Sequence, residues 1–224
     1  MRVQRVLRLT VPLALAALEF SHPAWSAGAV SQAILAARDW WLPLHLLLIL
    51  GYSVLVWLMW LPATLPRVAL VAFLLCNTAF LAVDGLGVGL LAAADPGAAD
   101  RLWSSPVVTA LANLAGATWS ASLLALAAMT TPAARTRPVL IGLGLTWLTF
   151  VASAPPLAMP STIGRVVAAA TGGWLVYVTG KSAVPVALLI FAAVLRQHVG
   201  AEAALGMLFI AIVQRPASLG SHPK

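Results

Sequence analysis

The sequence predicts an all-α, polytopic transmembrane helix bundle, and two features predict it. Hydrophobic residues make up 62% of the 224 and charged residues only 8%. A soluble domain carries about a quarter charged residues, so lipid must cover much of this surface. The apolar residues also fall into runs of about 20, the length that crosses a hydrocarbon core about 30 Å thick. These runs are parted by short breaks rich in proline and charge. The whole chain, 1–224, reads as a single transmembrane domain with six to eight crossings, five of them clear.

Span one covers residues 7–27, behind Arg2, Arg5 and Arg8. Those arginines, the apolar stretch and Ala24-Trp25-Ser26-Ala27 also fit a cleavable signal peptide. Glu19 and His22 interrupt the run before any cleavage site, which favours an uncleaved span. Span two covers 41–61 and is closed by Pro62 and Pro66. Span three covers 67–94 and ends at Asp95-Pro96-Gly97; span four covers 106–129 and ends at Thr131-Pro132. Span five covers 138–157, with Pro155, Pro156 and Pro160 at its far end. Three shorter apolar segments follow at 165–180, 182–195 and 201–213, short enough for tilted spans, a re-entrant pair or an interfacial helix. Small residues at helical spacing, Gly85 with Gly89 and Ala112 with Gly116 and Ser120, suit close helix packing in lipid.

Loop cations set the expected orientation. With the N-terminus in the cytoplasm and eight crossings, nine fall inside: Arg2, Arg5, Arg8, Arg67, Arg135, Arg137, Lys181, Arg215 and Lys224. Four fall outside: Arg38, Arg101, Arg165 and Arg196. This excess obeys the positive-inside rule; the membrane expected is a bacterial cytoplasmic one. Trp40, Trp41 and Trp103 then land at the outer interface, where indole is favoured. The net charge of +7 does not point to nucleic acid, because the cations are scattered singly and form no basic patch.

Ionisable residues inside the apolar runs carry the functional signal. A charge at bilayer depth costs about 2.5–3.5 kcal/mol even on insertion scales. Glu19 and His22 lie in span one, His45 in span two and Asp84 in span three. At 1.5 Å rise per residue, all four lie about 3–9 Å beyond the midplane, on the same side. Glu19 and His22 are three apart and share a helix face. His45 with Tyr52, and Asn77 with Asp84, are seven apart, nearly two turns. Three polar stripes that lipid would not tolerate should face one another. The expected intramembrane site is therefore Glu19, His22, His45, Tyr52, Asn77 and Asp84, with Gly85, Gly89 and Gly116 as packing positions.

Such a set admits several chemistries. Glu19, His22, His45 and Asp84 can ligate a divalent metal through nitrogen and oxygen. A histidine pair can bind a haem iron axially. Chains of Glu, His and Asp also relay protons or couple ions in transporters. The plainest alternative is mutual pairing that locks the bundle, as in a scaffold or assembly subunit. No bound cofactor is expected from a motif, no catalytic residue is assigned, and the partners expected are the lipid bilayer and other membrane subunits. The run Asp84-Gly85-Leu86-Gly87-Val88-Gly89 lacks the Lys-Ser/Thr of a phosphate loop; its glycines suit close packing or a local helix break beside Asp84. Cys76, the single cysteine, reads as a small buried hydrophobe.

The combination Glu19…His22-Pro23, Trp41-Leu42-Pro43-Leu44-His45 and Phe80…Asp84-Gly85…Gly87…Gly89 resembles small bacterial multi-pass membrane proteins of unassigned function. The resemblance covers about the first 90 residues and implies no particular activity.

Overall fold

Long apolar runs without room for a polar surface fold, among the described residues, into helices alone. The computed structural model describes residues 2–22, 30–58, 64–129 and 136–153. The apolar segments at 165–180, 182–195 and 201–213, and the Ala24–Ala27 motif, lie outside the described residues. Among the described residues there are five long helical stretches. They are α1 (Arg2–Ser21), α3 (Arg38–Leu58), a continuous stretch starting with α4 (Thr64–Ala82), α7 (Pro106–Met129) and α8 (Thr136–Ser153). The α4 stretch runs on through a π-helical turn (Val83–Val88) into α5 (Gly89–Ala94). Among the described residues, three segments are long and apolar enough to cross a membrane: Arg38–Leu58, Pro66–Ala94 and Pro106–Met129.

Two short helices, α2 (Val30–Ala36) and α6 (Pro96–Trp103), occupy what the sequence reads as loops. The cause of α6 is local. Asp95 leaves the preceding helix in an extended conformation, and its carboxylate accepts from the Ala98 amide at 3.0 Å, with Pro96 opening the first turn. An aspartate cap followed by proline at the first helical position is a strong start signal. The tripeptide Asp95-Pro96-Gly97 thus ends one helix and begins another.

Successive long helices run antiparallel. Leu15 fills the space over Gly51 while Trp40 reaches Ser21, which pairs α1 with α3. Phe73 meets Trp119, pairing α4 with α7, and Phe80 meets Trp103 at the end of α6, just before α7 begins. Gly116 faces Val151 and Gly144 faces Leu124, pairing α7 with α8. Arg67 and the starts of α1 and α8 therefore share one end of the bundle, and Arg38 and Arg101 share the other.

Two apolar clusters hold this arrangement. The larger lies toward the Arg67 end and includes Leu44, Leu48, Leu55, Leu70, Phe73, Trp119, Leu123, Leu140 and Leu143. The smaller lies toward the Arg38 end and joins Val30 and Ile34 of α2, Trp41, Val88, Ala92 and Ala99. Trp41 is thus buried at 2% exposure, whereas Trp40 beside it is exposed. Cys76 is half-buried on α4.

Candidate functional site

Three of the four ionisable residues that the sequence places at one depth, His22, His45 and Asp84, meet where these two clusters join. His22 follows α1, and its amide donates to the Leu18 carbonyl at 3.1 Å. His45 sits two turns into α3, and Asp84 sits in the π-helical turn. Their donor atoms all lie within 4.8 Å of one another. His45 Nε2 is 3.0 Å from Asp84 Oδ2, and His22 Nε2 is 3.9 Å from the same oxygen. The side chains of His45 and Asp84 are 1% and 3% exposed, whereas His22 is 12% exposed. Asp84 Oδ1 is buried and has no hydrogen-bond partner.

The backbone around Asp84 explains how this is possible. Gly85, Gly87 and Gly89 weaken the regular helix, because glycine is about 1 kcal/mol poorer than alanine in a helix interior. The chain there takes a wider π turn, a feature that often marks functional sites. Gly85 lets the histidine in. A Cβ at that position would lie 2.4 Å from His45 Cβ and 2.5 Å from His45 Cγ. Gly89 does the same for Trp41, whose Cδ1 would lie 2.8 Å from an added Cβ. These two glycines seat aromatic rings, whereas Gly116 receives Val151 and Trp147 between α7 and α8.

Trp41 holds the centre from one side in three ways. Its carbonyl lies 2.8 Å from His45 Nδ1. A carbonyl only accepts, so Nδ1 carries the hydrogen and Nε2 turns its lone pair or its proton toward Asp84. Its indole N–H donates to the Asp84 carbonyl at 3.4 Å. Its ring lies 4.5 Å from the His45 ring and 5.1 Å from the His22 ring. Sequence reasoning gave Trp41 only an interfacial role. Its position one turn before His45, on the same face of α3, is the signal that could have found it.

The expected six-residue set separates into parts. Glu19 does not join the histidines: its Oε1 accepts from the Tyr52 hydroxyl at 2.7 Å, and the Tyr52 ring packs edge-on against Phe73. Asn77 is half-buried, and its Nδ2 is buried without a hydrogen-bond partner. Among the described residues, the cluster with metal-ligand spacing is His22, His45 and Asp84 alone. A second polar contact lies closer to the Arg38 end. Both oxygens of Asp100 accept from Ser31, one from its amide at 2.9 Å and one from its hydroxyl at 3.0 Å, tying the start of α2 to α6.

Two neutral imidazoles and a carboxylate make a nitrogen–oxygen donor set suited to a transition metal. Donors on a single ion bound at about 2.1 Å can be at most about 4.2 Å apart. Tetrahedral donors lie about 3.4 Å apart, so a pair at the observed limit of 4.8 Å would have to close by about 1.4 Å. A metal-bound histidine usually donates its other ring N–H to a carbonyl or carboxylate, which is the contact His45 makes with Trp41. Comparison with protein-family models, with curated proteins and with solved structures finds no match to this chain.

Proposed function

We propose that this chain is a multi-pass membrane protein that binds a metal ion at His22, His45 and Asp84, between α1, α3 and the π-helical turn. The observation that carries the reading is the Asp84 carboxylate. It is buried among apolar side chains and flanked by two imidazoles, with one oxygen unpartnered. An ion isolated in a low-dielectric interior costs several kcal/mol, so a buried carboxylate needs a positive partner. A bound cation supplies it and gives Oδ1 an occupant. A haem fits less well, because Trp41 and Gly85 already press on His45 and leave Asp84 where a porphyrin would lie.

The proposed setting is a bacterial cytoplasmic membrane, with the N-terminus inside and six to eight crossings. Support comes from the sharing of one bundle end by Arg67 and the start of α1, with Arg38 and Arg101 at the other.

The test is elemental analysis of the purified, detergent-solubilised protein after exposure to first-row divalent metals and desalting. About one ion per chain is expected. Asp84→Asn and His45→Ala should lose it while circular dichroism still reports the helices. Absence of stoichiometric metal, or its retention in both variants, overturns the reading.

A second reading, proton-linked solute movement, is favoured by the His45–Asp84 contact. With Nδ1 held by Trp41, a 3.0 Å approach of Nε2 to a carboxylate oxygen must hold a proton whenever no cation is there. On that reading Asp84→Asn abolishes transport by an inserted, folded protein in vesicles. If the buried groups serve assembly alone, the same change alters only stability or partner retention.

A further inference from the structure

Resting on the metal-binding reading, we infer that Trp41 is a positioning residue for the ion. Its indole N–H latches the π-helical turn in the shape that aims Asp84 at the histidines, so that ion and latch strengthen each other. The helix around Asp84 is irregular. The π turn (Val83–Val88) widens it, and at Gly89 the amide donates to the Leu86 carbonyl, only three residues back. Glycines at 85, 87 and 89 give a regular helix little hold there. In a straight α-helix the Asp84 carbonyl faces the amide four residues on. Here it receives a donor from outside the helix, the Trp41 indole N–H at 3.4 Å. A side chain inserted into the helical ladder is a known cause of such distortion.

Gly89 lets the indole reach that carbonyl. An added Cβ there would lie 2.8 Å from Trp41 Cδ1 and 2.9 Å from its Nε1, so the N–H edge of the ring rests against the backbone just past the turn. The same residue fixes the other ligand. The Trp41 carbonyl meets His45 Nδ1 at 2.8 Å, and the His45 ring carries Nε2 to 3.0 Å from Asp84 Oδ2. Trp41 is thus bonded through its backbone to one proposed ligand and through its indole to the segment that bears another. It sets their separation from both sides at once. Without the indole N–H the glycine-rich turn relaxes toward regular helix, and the Asp84 carboxylate turns away from the imidazoles. Linkage is reciprocal, so an ion that needs Asp84 in place also holds the latch shut.

Trp41→Phe is the test, because phenylalanine keeps the backbone carbonyl and an aromatic ring beside His45 but has no N–H. The full-length protein is studied in detergent. Zinc(II) affinity should fall about 10–100-fold, the range for losing a ligand's outer support. Without metal, amide exchange over 83–89 should quicken about fivefold in the variant, while that of α7 holds. In nitrogen-15-labelled wild-type protein, zinc(II) at about 100 times its Kd should slow exchange of the Trp41 indole N–H by up to about 100-fold. The exposed Trp57 indole should not respond. Wild-type zinc affinity in Trp41→Phe overturns the inference. So does weakened affinity with unaltered exchange over 83–89, which means that the ring acts by packing on His45. If the variant does not fold, the wild-type indole decides, and an exchange rate that ignores bound zinc overturns the latch. If wild-type protein takes up neither zinc(II) nor cobalt(II), the underlying metal reading fails instead. That result is distinct, since the exchange over 83–89 is read without metal.

Discussion

The two halves of the bundle are held together by different means. Toward the Arg67 end, large side chains interdigitate: Phe73 on Trp119, Tyr52 on Phe73, with leucines from α3, α4, α7 and α8 around them. This half leaves some polar atoms without partners, among them Trp119 Nε1 and Ser120 Oγ. Toward the Arg38 end the packing residues are smaller, such as Val30, Val88, Ala92 and Ala99, and hydrogen bonds do more of the holding. Asp95 caps α6, and Asp100 grips Ser31 with both oxygens. The difference teaches that helix packing by dispersion suffices in the apolar half, whereas short helices near a membrane surface need their ends satisfied. The histidine–aspartate centre lies at the seam, where Trp41 of the smaller cluster meets His45 just above Leu44 and Leu48 of the larger.

Substitutions on either side of the seam should therefore separate stability from ion binding. The largest effect is expected for Trp119→Ala, which should lower unfolding stability in detergent by about 3–5 kcal/mol through the cavity it leaves. Its metal affinity should be nearly unchanged. A matching loss of affinity would show that the two halves are one cooperative unit.

Gly85→Ala comes next. The new methyl meets His45 at 2.4 Å, so overpacking should cost about 1–3 kcal/mol. Displacement of the ring should weaken metal binding by about 10–100-fold, the range seen when a ligand's support is lost. Equilibrium metal titration reads it, and unchanged affinity would mean that His45 is not a ligand.

Ser31→Ala should cost about 1 kcal/mol by removing one hydrogen bond to Asp100. Hydrogen exchange should quicken in α2 and α6 but not in α7. Uniform quickening would erase the distinction between the halves.

The smallest effect is expected for Tyr52→Phe, about 0.6 kcal/mol, the average for a hydrogen bond between membrane helices. If this change weakens metal binding as much as Gly85→Ala does, Glu19 and Tyr52 belong to the centre after all.

The bounds of spans three and four, 67–94 and 106–129, lie within a few residues of the helices observed. Such runs are legible because apolar length and proline breaks act locally. The meeting of His22, His45 and Asp84 was legible for a related reason: rise per residue converts position into depth, and lipid forces polar stripes inward. Less legible was the parting of Glu19 from His22. Residues three apart share a face, yet that face is wide enough to touch two neighbours, and in the packing of α1 on α3 Leu15 lies over Gly51 and Glu19 meets Tyr52.

By itself, then, the sequence determined a chain of long apolar helices and the relative heights of its ionisable groups along them, since both follow from composition and spacing along one dimension. Tertiary structure alone decided that Gly85 and Gly89 seat His45 and Trp41. It also decided that a π turn presents Asp84 to both imidazoles, and that Trp41 orients one of them. Each of these depends on which side chain from a distant segment fills a given space, and that is settled only when the helices pack.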